Sequence, residues 1–252
     1  MNAIRHAALA AALIITPPAL NHNAYAESGH KAHWSYEGHE GPENWGNLSH
    51  DYEMCKTGKA QSPIDISSIS SAALEDIESS YKKTSLDVVN NGHTIQVNYN
   101  NGSSIRVDGK TYNLLQFHFH SPSEHHVDGK PADMVAHLVH QANDGQLAVI
   151  GVLINKGNNN KTIETIWNNM SASQGNRKSS AMINVADLLP SDLSYYNYSG
   201  SLTTPPCSEG VNWMVLQNPI QASAGQIARF NEIFTKSVRP VQPLNKRMVK
   251  AN

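Results

Sequence analysis

Turn dipeptides cut the chain at short intervals, and this punctuation limits the fold more than any other feature of the sequence. Asn91-Gly92, Asn101-Gly102, Asp108-Gly109 and Asp144-Gly145 separate apolar-rich runs at 85–89, 93–99, 103–107, 111–120, 134–141 and 147–154. Asn-Gly and Asp-Gly pairs supply the positive φ angles of tight hairpins, so such runs pair as antiparallel strands. Helical signals are few. Ser223 is placed to cap a helix that sets Ile227, Phe230 and Phe234 on one face, and 162–170 is a weaker candidate. Neither a repeat nor a linker divides the text, so the expectation is one sheet-dominated domain.

The first 26 residues read differently. Arg5 and His6 precede an apolar run at 7–15, and Ala24-Tyr25-Ala26 offers a small-x-small cleavage site. We expect 1–26 to be a signal peptide and 27–252 the mature domain, exported to the periplasm or secreted. The run is too short to span a bilayer, and no later segment approaches the ~20 apolar residues a span needs. A formal net charge of -2 leaves no basic excess for nucleic acid. Cys55 and Cys207 are the two cysteines; outside the cytoplasm such a pair is more often bridged than free, with two separate buried thiols as the alternative.

Thirteen histidines are the unusual count. In Gln116-Phe117-His118-Phe119-His120, strand alternation sends His118 and His120 to one face and the phenylalanines to the other. The run 136–140 is a second strand-like segment. If 121–133 folds back as its connection, His137 comes level with the first pair. Three neutral imidazoles without an acidic fourth ligand suit a zinc ion with an open position. By itself His-x-His is a weak signal, and surface or core histidines are the plainer reading. His140, an odd number of residues from His137, faces the other way and is read as structural.

The text also resembles the alpha-class carbonic anhydrases of bacteria. The blocks that carry the likeness are His33-Trp34-Ser35-Tyr36, Gly41-Pro42-Glu43-Asn44-Trp45, Gln61-Ser62-Pro63-Ile64-Asp65-Ile66, Asn90-Asn91-Gly92-His93 and the histidine run. Further on come Ser123-Glu124-His125, His137-Leu138-Val139-His140, Gly200-Ser201-Leu202-Thr203-Thr204-Pro205-Pro206 and Arg239-Pro240-Val241-Gln242-Pro243-Leu244-Asn245. In order, they span nearly all of 27–252.

The resemblance implies a twisted, mostly antiparallel sheet of about ten strands with short peripheral helices, and cis peptide bonds at Ser62-Pro63 and Pro205-Pro206. It implies Zn2+ on His118, His120 and His137, with a zinc-bound hydroxide attacking carbon dioxide to give bicarbonate and a proton. Thr203 and Glu124 would orient the attack, Thr204 would touch substrate and water, and His93 would shuttle the proton. Without the resemblance His93 reads as an exposed turn residue. Gln116 would hold His118, while Tyr36, Asn91 and Gln96 would order the connecting waters. Val139, Val149, Leu202 and Trp213 would wall the carbon dioxide pocket; from the residues alone they are ordinary core. A Cys55–Cys207 bridge would pin the Thr203 loop, and the likeness extends to a homodimer.

One departure stands out. Two residues before its third ligand the family usually carries a glutamate that fixes that imidazole, whereas this chain has Val135. Two other readings compete: a zinc-binding module without turnover, favoured only by Val135, and a zinc hydrolase of esters or peptides. The chain has no His-Glu-x-x-His motif to support the latter.

Overall fold

The computed structural model describes residues 32–251; the expected signal peptide lies outside them. Sixteen strands form among the described residues. The first seven are β1 (Asp65–Ile66), β2 (Ile69–Ser71), β3 (Glu78–Ser80), β4 (Thr84–Asn90), β5 (Ile95–Asn98), β6 (Ser104–Val107) and β7 (Lys110–His120). Then come β8 (His126–Val127), β9 (Lys130–Pro131), β10 (Met134–Gln141), β11 (Leu147–Lys156) and β12 (Gly175–Ile183). The last four are β13 (Tyr195–Ser201), β14 (Glu209–Leu216), β15 (Ile220–Ala222) and β16 (Val249–Ala251). The helices are short: α1 (Trp45–Leu48), α2 (Met54–Thr57), α3 (Lys161–Asn169) and α4 (Ala224–Asn231).

Thirteen strands make one mixed sheet, with central order β12-β4-β5-β7-β10-β11-β14-β13-β16-β2. That order holds ten strands, the number expected; β3, β6 and β15 pair with its members off this path and bring the sheet to thirteen. Most pairings are antiparallel, as the turn pairs required; β11 with β14, β11 with β15, and β16 with β2 are parallel. Both expected cis bonds are present, and Ser121-Pro122 is a third that the sequence did not suggest.

The sheet separates two chemistries. Phe117, Phe119, Ala136 and Leu138 point to a core shared with Ile150, Trp167 and Phe230. Val135, Val139, Val149 and Trp213 pack on the opposite side with Ile64 and Tyr198. Covered on both faces, β10 is buried almost from end to end.

Helices α3 and α4 brace the first core. Asn160 caps α3 by accepting from the amides of Thr162 and Ile163, and a Ser223–Gln226 capping box opens α4. The Gln226 side chain also donates to the Asn160 carbonyl, tying the two helix starts together. Phe230 and Phe234 are buried as expected, but α4 ends at Asn231, before Phe234.

His140 confirms its structural reading. It is buried in full, its Nε2 lies 2.9 Å from the Tyr81 hydroxyl, and burial pushes its pKa down to about 4. An unfolded histidine titrates near 6.5, so between pH 6.5 and 4 the unfolded chain takes up a proton that the fold resists. His140 stability is therefore complete above pH 6.5 and lost as pH falls toward 4. The total is about 3 kcal/mol, and a His140→Gln protein should lose that part of the pH dependence in urea titrations.

Candidate active site

Strands β7 and β10 pair with His137 directly opposite His118. His120 lies one pleat further along β7, so three imidazoles meet on one face. Their ring centroids are 4.9–5.4 Å apart, and one nitrogen from each falls within 4.8 Å of the others. His118 Nδ1 donates to Gln116 Oε1 at 2.9 Å, and His120 Nδ1 donates to the Ser237 carbonyl. Those bonds leave both Nε2 atoms bare and facing inward.

His137 is turned the other way, with Nδ1 toward the cluster, 3.8 Å from Glu124 Oε2. Burial pushes the pKa of His118 and His137 well below the usual histidine value. Neutral imidazoles are the ligating form, and His120 Nε2 is buried with no hydrogen-bond partner in the protein. This donor set fits a zinc ion.

Glu124 is buried behind the histidines, with Oε2 3.6 Å from His120 Nε2. Its Oε1 accepts from the Arg239 amide at 2.8 Å. Burial raises its pKa; His120, the Arg239 amide and the Thr203 hydroxyl oppose that rise. The Arg239 guanidinium in turn donates to Gln61 Oε1 and to the carbonyls of Ser62 and Cys55. One arginine thus joins the carboxylate to the disulfide-bearing segment.

Thr203 is buried in the loop after β13, and Thr204 follows it at the cleft. The loop is tight: the Cys207 amide donates to the Thr204 carbonyl, and Leu202 donates to Ser208. Cys55 and Cys207 are joined by a disulfide that closes 152 residues. Cutting a loop that long should cost about 2–5 kcal/mol in urea unfolding. The Cys55→Ala/Cys207→Ala protein should show this loss, with unchanged stability the contrary result.

A cleft of about 130 Å³ opens over the histidines. It brings together Tyr36, Asn91, His93, Gln96, Gln116, His118, His120 and Thr204. A larger groove of about 580 Å³, lined in part by Lys110, Asn212 and Arg247, contains none of them. Asn91 shapes the rim by accepting from the amides of His93 and Thr94. The apolar wall is continuous: Val139 opposes Val149, Val149 opposes Trp213, and Leu202 packs on the same cluster.

Sequence reasoning missed several contributors. His93 lies flat on Trp34, with centroids 3.8 Å apart and an interplanar angle of 11°. Trp34 carries no signal of that role, because the contact spans 59 residues. The Ser237 carbonyl is a backbone group, invisible in side-chain patterns. His125, which falls in the expected 121–133 connection and is given no role by the sequence, is buried with Nε2 2.6 Å from the Tyr198 hydroxyl. Val135 is fully buried, and His137 Nε2 has no hydrogen-bond partner in the protein.

Comparison with known proteins gives one consistent answer. The family model described as eukaryotic-type carbonic anhydrase matches residues 40–252. A carbonic anhydrase of Nostoc is 45% identical over 223 residues, covering 86% of this chain and 84% of its own. One from Neisseria gonorrhoeae is 45% identical, covering 89% and 90%. A hyperthermostable carbonic anhydrase from a hydrothermal vent chimney superposes with a TM-score of 0.85 at 50% identity, covering 87% of this chain and 99% of its own. With the fold, the histidine cluster and these matches in agreement, the chain belongs to the eukaryotic-type, or alpha, carbonic anhydrase family.

Proposed function

We propose that this enzyme hydrates carbon dioxide reversibly with a zinc ion held by His118, His120 and His137. Carbon dioxide hydration is the general reaction of the family; the zinc and the residue roles are argued from the geometry of this chain. The convergence of three imidazoles, two buried and His118 half-buried at the cleft, is the observation that carries it. Bound there, zinc supplies the Lewis acidity that makes water a nucleophile near neutral pH.

The protein's own residues do the rest. Gln116 and the Ser237 carbonyl lock two imidazoles so that their bare nitrogens face inward. Glu124, fixed by the Arg239 amide, accepts the Thr203 hydrogen, which leaves the Thr203 oxygen to accept from the attacking water and orient its lone pair. Val139, Val149, Leu202 and Trp213 offer the apolar substrate a dry wall. His93 takes the released proton at the cleft mouth through waters ordered by Tyr36, Asn91 and Gln96, and passes it to buffer.

Export is part of the proposal, because a disulfide persists in an oxidising compartment. The orienting pair gives a direct test. Glu124→Gln keeps an oxygen for the Arg239 amide but places a donor where Thr203 needs an acceptor. That variant, and Thr203→Val, should lower kcat/KM about 100-fold with zinc content unchanged. Equal rates in wild type and variants would remove the pair from the mechanism.

A further inference from the structure

Behind His137, on the side away from the cluster, two buried imidazole nitrogens face the apolar wall without a partner. His137 Nε2 and His125 Nδ1 each lack a hydrogen-bond partner in the protein. Their rings lie 6.0 Å apart at 80°. Trp213 flanks both, 4.9 Å from His137 and 4.6 Å from His125. Val135, one pleat from His137 on the same face of β10, contributes only methyl groups.

Hydrogen counting shows what is missing. A neutral His137 that ligates through Nδ1 carries its hydrogen on Nε2. For His125 the tautomer follows from its neighbours. Ser62 Oγ has two partners, the Ser201 amide at 3.0 Å, which can only donate, and the Tyr198 oxygen at 2.7 Å, so the Ser62 hydrogen is satisfied only by donating to Tyr198. The Tyr198 hydrogen then goes to His125 Nε2 at 2.6 Å, and His125 keeps its proton on Nδ1. In this assignment each hydrogen of the chain Ser201, Ser62, Tyr198 finds an acceptor. Both orphan nitrogens are therefore donors, and a buried donor without an acceptor is costly.

We propose that His137 Nε2–H and His125 Nδ1–H share one small acceptor, a water oxygen or a halide ion. Through it His125 acts as a positioning residue for His137. Val135 leaves room for that acceptor where a carboxylate side chain would otherwise reach both groups. A metal ligand held through a small, exchangeable bridge is less firmly oriented than one held by a fixed carboxylate, so this chain exchanges its metal readily. The inference rests on His137 being a zinc ligand.

The test measures the rate at which the zinc-loaded protein surrenders metal to excess chelator. His125→Phe removes the donor and should speed zinc loss about 10-fold. Because it also takes the acceptor from the buried Tyr198 hydroxyl, the metal-free protein should melt lower, and zinc loss is compared at a temperature where both proteins are folded. Val135→Glu brings a carboxylate to both N–H groups and should slow loss about 10–100-fold. In that background His125→Phe should matter less. Zinc loss that is the same in wild type, His125→Phe and Val135→Glu overturns the proposal.

Crystals of the zinc-loaded wild type grown with bromide need no variant. An anomalous peak between the two rings identifies a halide, and ordinary water density there identifies water. Empty density between the rings overturns the inference even if neither variant folds. Failure of the wild type to bind zinc at all would instead overturn the ligand assignment.

Discussion

Alanine at His118, His120 or His137 should abolish stoichiometric zinc binding and lower kcat/KM for carbon dioxide hydration by about 1000-fold or more. A bound metal supplies several kcal/mol of transition-state stabilisation, and each 1.4 kcal/mol is a factor of ten. The three rings act as a unit, since one nitrogen from each shares a single site within 4.8 Å. Two remaining donors cannot hold the ion against bulk water with the same geometry.

Stability gives a second readout of the same variants. Wild-type protein should gain about 4 kcal/mol when free zinc exceeds its dissociation constant 1000-fold, whereas the variants should gain little. A variant that lost activity yet kept the full zinc-dependent gain would place the metal elsewhere.

His93→Ala should lower kcat about 100-fold in dilute buffer and leave kcat/KM almost unchanged. The reason is the order of events. Proton export follows the chemical step, so it limits turnover at saturation without touching encounter and attack. His93 lies half-buried at the cleft mouth on Trp34, outside the ligand cluster, so its loss leaves the metal site intact. Burial, with His33 nearby, sets its pKa below the ordinary histidine value. A depressed pKa keeps the ring neutral, and able to accept, to lower pH. The kcat profile should accordingly hold on the acid side to below pH 6.5 before it falls. Added imidazole should restore much of the lost kcat; a kcat/KM that fell in parallel would contradict the shuttle role.

The histidine cluster was legible because strand alternation is a local rule. His118 and His120 share a face by parity, and turn pairs made β7 and β10 neighbours. The register that sets His137 opposite His118 also followed from a folded-back connection. What remained hidden depends on distant chain. The parallel pairing of β11 with β14 sets Trp213 beside Val149, and no hairpin signal announces it.

Three-residue strands such as β2 and β16 are too short to show alternation, so the sheet edge they form was not readable from the residues. His125 looked like a connection residue because its environment comes from Tyr198 and Trp213, more than seventy residues away. Val135 was visible as a departure from the family pattern, and the structure gives it a consequence: an unpaired Nε2 on His137.

The most direct test is stopped-flow carbon dioxide hydration by residues 27–252, measured with saturating zinc, after metal removal, and after zinc is restored. The proposal predicts fast turnover with zinc, loss of nearly all rate without it, and full recovery on readdition. A folded, zinc-loaded protein with no rate above buffer would contradict it and leave a binding module on an enzyme's fold.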